Sequence, residues 1–385
     1  MKIIYGYSNC SDRLYEKIFK DKELFVMRPD QKYHGLLIKG LAKNNAEVYA
    51  LSGLPINRNV TKKLFIHYKN EKEDGVRYKY YKTINLPFLR QAGIFFGGFF
   101  STLFFKKKKE KTVAVCDILN VSNCYGITLA AKLRRIPVIC IVTDLPDILS
   151  GKKVQNKINN RLFKKADGFI FLTQAMNDKV NVKNKPYIVA EGHVCENAAG
   201  TDENHERENT VVYAGGISEE YGLKNLIEGF RAAALQNTKL LVFGDGPYAK
   251  ELEKICAETP NADYRGVKPN AEVIAEERRA SLLINPRPTD AEFTKYSFPS
   301  KNMEYMASGT PLLTTALGGM PEEYKNYVYL IEKDGADSVA EALKKVFSLT
   351  ERERAEKGAK AKEFVLTQKS NVAQAKRILD FAKTL

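Results

Sequence analysis

The sequence predicts an α/β protein of two Rossmann-like domains, each a parallel sheet covered by helices on both faces. Three observations predict it. Short apolar runs of strand length alternate with segments of helical spacing along the chain. The alternation stops once, at residues 195–209 (CENAAGTDENHEREN), which are polar and acidic without apolar periodicity, and then restarts. A length of 385 residues suffices for two domains, and 44% hydrophobic against 28% charged residues suits a chain with a buried core. Domains are therefore expected at residues 1–194 and 210–367, with 195–209 as linker. A terminal helix at about residues 368–385 is expected to pack back on the first domain.

In the first half, residues 2–5 (KIIY) read as a strand entering a Gly-Tyr-Ser-Asn loop. Residues 35–44 have helical spacing through Leu36, Leu37 and Leu41, and 47–51 follow as a strand. Residues 112–119 (TVAVCDIL) read as a buried strand, 127–133 as a helix, and 137–142 (PVICIV) as a strand that ends at Thr143-Asp144-Leu145-Pro146. Helix 154–165, strand 168–172, helix 174–180 and strand 187–190 complete that half. In the second half, strands at 210–214, 239–243, 262–264, 281–285, 311–315 and 327–331 alternate with helices at 222–234, 248–256, 271–279, 301–307 and 338–347. Residues 355–383 are helical by spacing. Such alternation is that of parallel strands joined by helical crossovers.

The formal charge of +15 is uneven. Residues 1–200 carry 35 Lys and Arg against 17 Asp and Glu, and the remaining 185 carry 26 against 29. The first half thus points to an anionic partner, whether phospholipid, polyanionic substrate or nucleic acid, with a solvated lysine-rich surface as the plain alternative. Nucleic acid is set aside, because the ordered glycine loops described below lie in the other half. The six cysteines form no CxxC pair and no His has metal-site spacing, which fits a reducing cytoplasm. The first five residues read as a strand and not as a signal peptide. Residues 93–105 (GIFFGGFFSTLFF) are too few to span a bilayer of roughly 30 Å hydrocarbon. They read either as a core helix or as an interfacial helix, and the four lysines at 106–109 favour an interfacial helix on an anionic inner leaflet.

Ligands of open α/β sheets bind beyond the carboxyl ends of the strands. In the second half these ends carry Gly215-Gly216, Gly244-Asp245-Gly246, Arg265-Gly266-Val267 and Pro286-Arg287-Pro288. Glycine lets backbone approach a phosphate. Ser297-Phe298-Pro299-Ser300-Lys301 then precedes a helix bearing Glu304. Ser300 is expected as N-cap, with free amides behind it as an anion seat. Arg287 and Lys301 add two cations, and Glu304 suits two ribose hydroxyls. Taken singly, the glycine pair is an ordinary tight turn and Lys301 a surface lysine; their order along strand ends makes a nucleotide site.

Ser297-Phe298-Pro299-Ser300-Lys301-Asn302-Met303-Glu304, continuing to Gly309-Thr310-Pro311, resembles the signature of the retaining glycosyltransferase family 4. Val212-Tyr213-Ala214-Gly215-Gly216, Phe243-Gly244-Asp245-Gly246 and Tyr264-Arg265-Gly266-Val267 resemble its loops in the same order. The resemblance covers about residues 210–345. It implies the GT-B fold, with two Rossmann lobes facing a central cleft and the nucleotide-sugar in the second. Carried over, Glu304 holds the ribose, Val267 meets the base beside Gly266, and Ser300 with its neighbours faces the diphosphate. Family positions often held by Arg and Lys are Gly216 and Tyr221 here, and Tyr296 stands where the first Glu of a Glu-x7-Glu pair is usual. Arg287 and Lys301 are expected to replace those cations.

The resemblance also places a His or Asp near the reacting sugar, where this chain has Asp144; its plain alternative is an Asx turn. Gly6, Tyr7 and Ser8 end the first strand. Gln31, His34 and Gly35 are expected in a loop before the first helix, near acceptor or diphosphate, with His34 a loop histidine or a catalyst. The implied reaction transfers a sugar with retention, the departing diphosphate helping to deprotonate the acceptor. No Asp-x-Asp motif occurs, so neither metal nor other cofactor is expected. Domain closure is expected about residues 195–209. A lipid-linked glycan acceptor in capsule, O-antigen or exopolysaccharide assembly suits the basic half, with the protein peripheral to the inner face of the cell membrane. The alternatives are a nucleotide-sugar epimerase of the same fold and a non-catalytic sugar-binding or scaffold protein.

Overall fold

The computed structural model describes residues 1–19, 29–106, 110–145, 153–198, 207–290 and 292–385. It comprises two compact units, Met1–His193 with Asn371–Leu385, and Val194–Ser370.

The first unit contains β1 (Lys2–Gly6), β2 (Glu47–Ser52), β3 (Phe65–Ile66), β4 (Glu71–Glu73), β5 (Val76–Tyr80), β6 (Thr83–Ile84), β7 (Thr112–Asp117), β8 (Val138–Val142), β9 (Gly168–Phe171) and β10 (Tyr187–Val189). Eight strands form one sheet in the order β10-β9-β8-β7-β1-β2-β5-β4, parallel except for β4 against β5; β3 and β6 pair separately. β1, β7 and β8 are buried along their whole length, as apolar runs must be in a sheet covered on both faces. The winding direction reverses between β1 and β7.

Two helices begin earlier than their spacing predicts. Helix Pro29–Lys43 has Asp30 in its first turn, so Gln31, His34 and Gly35 stand on it and not in a loop before it. Helix Val121–Leu133 includes Gly126, where a Cβ would lie 2.2 Å from the carbonyl oxygen of Phe95. That glycine permits close packing on helix Pro87–Leu103, whose own Gly98 meets the Asn123 side chain.

Helix Pro87–Leu103 contains the phenylalanine-rich segment. Ile94, Gly98 and Thr102 are buried on one face, while Leu89, Phe96, Phe100 and the C-cap residue Phe104 are exposed on another. It therefore combines a core face with a bare apolar face. Of the tetralysine, residues 107–109 lie outside the described residues.

The second unit contains β11 (Glu208–Ala214), β12 (Lys239–Phe243), β13 (Ala262–Gly266), β14 (Ala280–Asn285), β15 (Leu312–Thr315) and β16 (Tyr329–Ile331). All are parallel, in the order β13-β12-β11-β14-β15-β16. Alternate side chains enter the two faces, as pleating requires. Val211, Tyr213, Leu240, Val242, Leu282 and Ile284 build one core, and Val212, Ala214, Leu241, Phe243 and Leu283 the other. The helical tail breaks in two. Helix Glu351–Gln368 belongs to the second unit, and helix Asn371–Thr384 packs on helix Pro29–Lys43 of the first. There Gly40 admits the Asn371 carbonyl, and Asn371 Nδ2 donates to the Leu36 carbonyl at 3.0 Å.

Candidate functional site

The second sheet reverses direction between β11 and β14, so the connections leaving the carboxyl ends of these two paired strands run opposite ways and leave a crevice for a ligand. β11 ends in Gly215 and Gly216, β12 in Gly244, β13 at Gly266, and β14 runs into Pro286-Arg287. The loops lie backbone to backbone. Gly244 has φ +132°, and a Cβ on it would stand 1.8 Å from the Gly215 carbonyl oxygen. The Gly215 amide donates to Phe243 O at 3.0 Å, and the Gly244 amide to Gly266 O at 2.9 Å. These two amides are thus engaged within the loops, and Gly216 is the exposed residue of its pair. Val267 is 69% exposed.

Helix Ser300–Ser308 is fixed to the end of β11 by Tyr305, whose hydroxyl donates to Ala214 O at 2.8 Å and accepts from Ala214 N at 2.7 Å. Asn302 anchors it to β14 and β15: Asn285 Nδ2 donates to Asn302 Oδ1 at 2.6 Å, and Asn302 Nδ2 to Thr314 Oγ1 at 3.3 Å. The cap position is held by Pro299, and no side chain caps the first turn, which corrects the expected N-cap role of Ser300. Proline has no N–H to offer and sets the entry angle, while exposed Ser300 is the first helical residue. The Phe298 ring is 6% exposed and packs on Tyr324 at 4.9 Å, so its side chain supports the loop from the core. The Oγ of Ser297 is buried and has no hydrogen-bond partner.

Lys301 and Glu304 meet at 3.0 Å across one helical turn, and Lys301 Nζ lies 4.0 Å from Oε1 of buried Glu277. Burial opposes the ammonium, but the two carboxylates outweigh it and its pKa lies above the ordinary lysine value. Glu277, on helix Asn270–Arg279, was missed in the sequence, where it reads as one of several surface charges. Arg287 lies over the Tyr221 ring, 4.3 Å from its centroid. Tyr221 precedes Gly222, whose φ of +77° lets the loop pass where a Cβ would stand 2.3 Å from the Pro286 carbonyl.

The first sheet reverses between β1 and β7, and its carboxyl edge is closed by side chains. His34 is 1% exposed, accepts or donates at Nδ1 with the Tyr5 hydroxyl (2.5 Å), and pairs through Nε2 with Asp117 (3.0 Å). Tyr7 stacks on its ring at 3.7 Å and donates to Asp30 at 2.5 Å. Asp117, fully buried, also accepts from Thr143 Oγ1 at 3.0 Å and from the Leu119 amide at 2.6 Å. His34 is therefore an interior helical residue, correcting the loop reading. Gly6 is buried against Ile127 and Cys116, and Gly35 is half-buried on its helix. Asp144 is half-buried; burial, then the charge of Asp117, pushes its carboxyl up to about 6. A pocket of about 920 Å³ opens at this edge, lined by Tyr7, Ser8, Gly53 and Asn120 from the strand ends and by Phe88 and Arg90 of helix Pro87–Leu103. Ser8 Oγ donates to Gly53 O at 2.8 Å and accepts from Asn120 Nδ2 at 2.5 Å, tying the strand ends together. Among the described residues, no group of three or more His, Cys, Asp or Glu has the arrangement of a metal site.

Comparison with known proteins bears on the fold and on the second unit. Residues 198–363 match the family model "Glycosyl transferases group 1". WcaL of Escherichia coli (strain K12), whose name makes it a colanic acid biosynthesis glycosyltransferase, is 27% identical over 140 residues, 34% of either chain. The match thus spans about a third of that relative's length. Over the whole chain, the crystal structure of Anabaena Alr3699/HepE in complex with UDP superposes with a TM-score of 0.65 at 13% identity, covering 100% of both chains. Sucrose-phosphate synthase from Thermosynechococcus elongatus gives 0.66 at 14%, covering 100% of this chain and 98% of that one. At such identities the likeness concerns the fold, and the fold is GT-B, with two Rossmann-like domains. The stretch that matches the family model lies within the second of them.

Proposed function

We propose that this GT-B glycosyltransferase moves a sugar, with retention, from a nucleoside-diphosphate sugar to a lipid-linked glycan in bacterial surface-polysaccharide assembly. The observation that carries the donor reading is the reversal point of the second sheet. Glycine-lined backbone, the cationic Arg287, and the Lys301–Glu304 pair on an uncapped helix start lie on the elements that border it. Diphosphate suits the helix start and the two cations, and Glu304 suits the ribose. The base lies along Val267. In this reading the first unit's 920 Å³ pocket takes the acceptor, and Asp144 serves the acceptor hydroxyl.

The chemistry asked of the protein is positioning and stabilisation of leaving-group charge. Arg287 and Lys301 supply that charge, so turnover is expected to persist in EDTA. UDP bound to Alr3699/HepE makes UDP the first nucleotide to try. Protein that binds its donor at one hundred times Kd gains about 2.7 kcal/mol of stability, readily seen as a shift in Tm. A screen of UDP-, GDP- and dTDP-sugars should show one clear shift. Arg287→Ala should then lower kcat/KM at least tenfold. No shift with any donor, or unchanged kinetics in Arg287→Ala, rejects the site.

A further inference from the structure

We infer that helix Pro87–Leu103 and the groove beside it are a landing surface for an anionic phospholipid bilayer, holding the first unit's pocket at headgroup level. The inference rests on the lipid-linked acceptor reading above and names the surface that would serve it.

The exposed stripe is built for contact. Leu89, Phe96 and Phe100 are 49%, 53% and 49% exposed, and Phe104 is 74% exposed. Their spacing of seven, four and four residues puts them on one line along the helix. The rings of Phe96, Phe100 and Phe104 follow one another at 6.1 and 6.2 Å. The stripe lies off the helix's core face, which is made by Ile94, Gly98 and Thr102. A continuous apolar surface of this kind marks an interaction site.

Charge selects the occupant. The phenylalanines border a groove of about 620 Å³ whose other walls include Lys69, Lys79 and Lys82. Residues 75–109 contain eight Lys or Arg and no Asp or Glu. The three carboxylates just before this stretch are engaged elsewhere: Glu71 by Ser11, Tyr80 and Arg13, Glu73 by the Asp12 amide, and Asp74 by Lys39. Phenylalanines seeking acyl carbon beside lysines seeking phosphate match the boundary layer of an anionic leaflet, which offers both at one depth. The helix, 17 residues or about 25 Å long, lies in that plane and does not cross it; no helix among the described residues is long and apolar enough to span. Its other end supplies Phe88, Arg90 and Gln91 to the rim of the 920 Å³ pocket. A helix lying on the leaflet would thus bring that rim to a lipid-borne acceptor.

The test is co-sedimentation of the full chain with vesicles of 3:1 phosphatidylcholine and phosphatidylglycerol, and with vesicles of phosphatidylcholine alone. Wild-type protein should partition at least tenfold more strongly onto the anionic vesicles. Phe96→Ser/Phe100→Ser and Lys79→Glu/Lys82→Glu should each lose at least tenfold on them. Unchanged Tm in both variants verifies that they fold. Wild-type protein left in the supernatant, equal binding to neutral vesicles, or full binding by Phe96→Ser/Phe100→Ser overturns the inference. Nucleotide release from the donor in vesicle-free buffer, run alongside, reports on the transferase reading separately.

Discussion

Two sheets wound in the same sense present opposite materials at their reversal points. In the second unit the edge is backbone: Gly215, Gly216, Gly244 and Gly266 keep side chains away from it. In the first it is side chain: Tyr5, Tyr7, His34 and Asp117 fill the interior behind the strand ends with a hydrogen-bonded network. Both edges have a glycine at an inner strand's end, Gly244 after β12 and Gly6 in β1, for different reasons. At Gly244 a Cβ would strike a carbonyl oxygen that cannot move without breaking the loop. At Gly6 it would meet Ile127 Cδ1 and Cys116 Sγ, at 2.5 and 2.9 Å, which are the ends of side chains. A bare edge suits a ligand that brings its own charge and is read by backbone. A filled edge suits a site in which protein groups must be held in fixed positions.

The sharpest way to break this contrast is Gly244→Ala. Strain at φ +132° alone costs about 1–3 kcal/mol, and the clash with Gly215 adds to it, so a loss of about 3 kcal/mol or more is expected. Donor-induced thermal shift should vanish with it. Gly6→Ala should lower stability by about 1–3 kcal/mol through overpacking and keep the donor shift. If both variants keep the shift, the glycine edge is not the donor's seat. Next in size is Asp117→Asn. The amide can still accept from Thr143 or the Leu119 amide, but it cannot serve all three donors around the carboxylate. Leaving one of these buried groups unsatisfied costs about 1–3 kcal/mol. Urea unfolding measures this, and a midpoint equal to wild type would show that the network bears no stability.

How far the sequence reveals all this follows the same contrast. The glycine edge is legible because each of its loops directly follows an apolar run, so local order in the chain is also order in space. The filled edge is not, because His34 and Asp117 are 83 positions apart and become neighbours only through the pairing of β1 with β7. His34 was further hidden by the polar segment around it. Pro29 with Asp30 is the signal that starts its helix early, since proline suits the first helical turn and an acidic residue its dipole. Helix Val121–Leu133 likewise begins before the 127–133 that spacing predicts, and Gly126 lies inside it. Read locally it breaks a helix, but close packing against the Phe95 carbonyl requires it inside one. At Pro299-Ser300 the serine looked like a cap by type, although the proline takes the cap's extended backbone, with φ −70° and ψ 109°.

The last test reads the electrostatics of the filled edge. Asp144 has an ordinary carboxyl value of 3.8 in the unfolded chain, raised to about 6 in the fold by burial and by the negative charge of Asp117. The folded protein therefore binds this proton more tightly than the unfolded chain does. Its contribution to stability is fully present below about pH 3.8 and is lost as pH rises through about 6. An amide in place of this carboxyl stays neutral throughout, so Asp144→Asn should gain on wild type as pH rises from 4 to 7, with most of the change below pH 6. Asp117→Asn should narrow the same window, because one of the two causes of the shift is gone, while burial remains. Urea midpoints at pH 4, 5, 6 and 7 for the three proteins read both effects. Parallel curves for wild type and Asp144→Asn would mean that the carboxyl titrates alike in fold and unfolded chain, and that Asp117 acts on His34 and Thr143 alone.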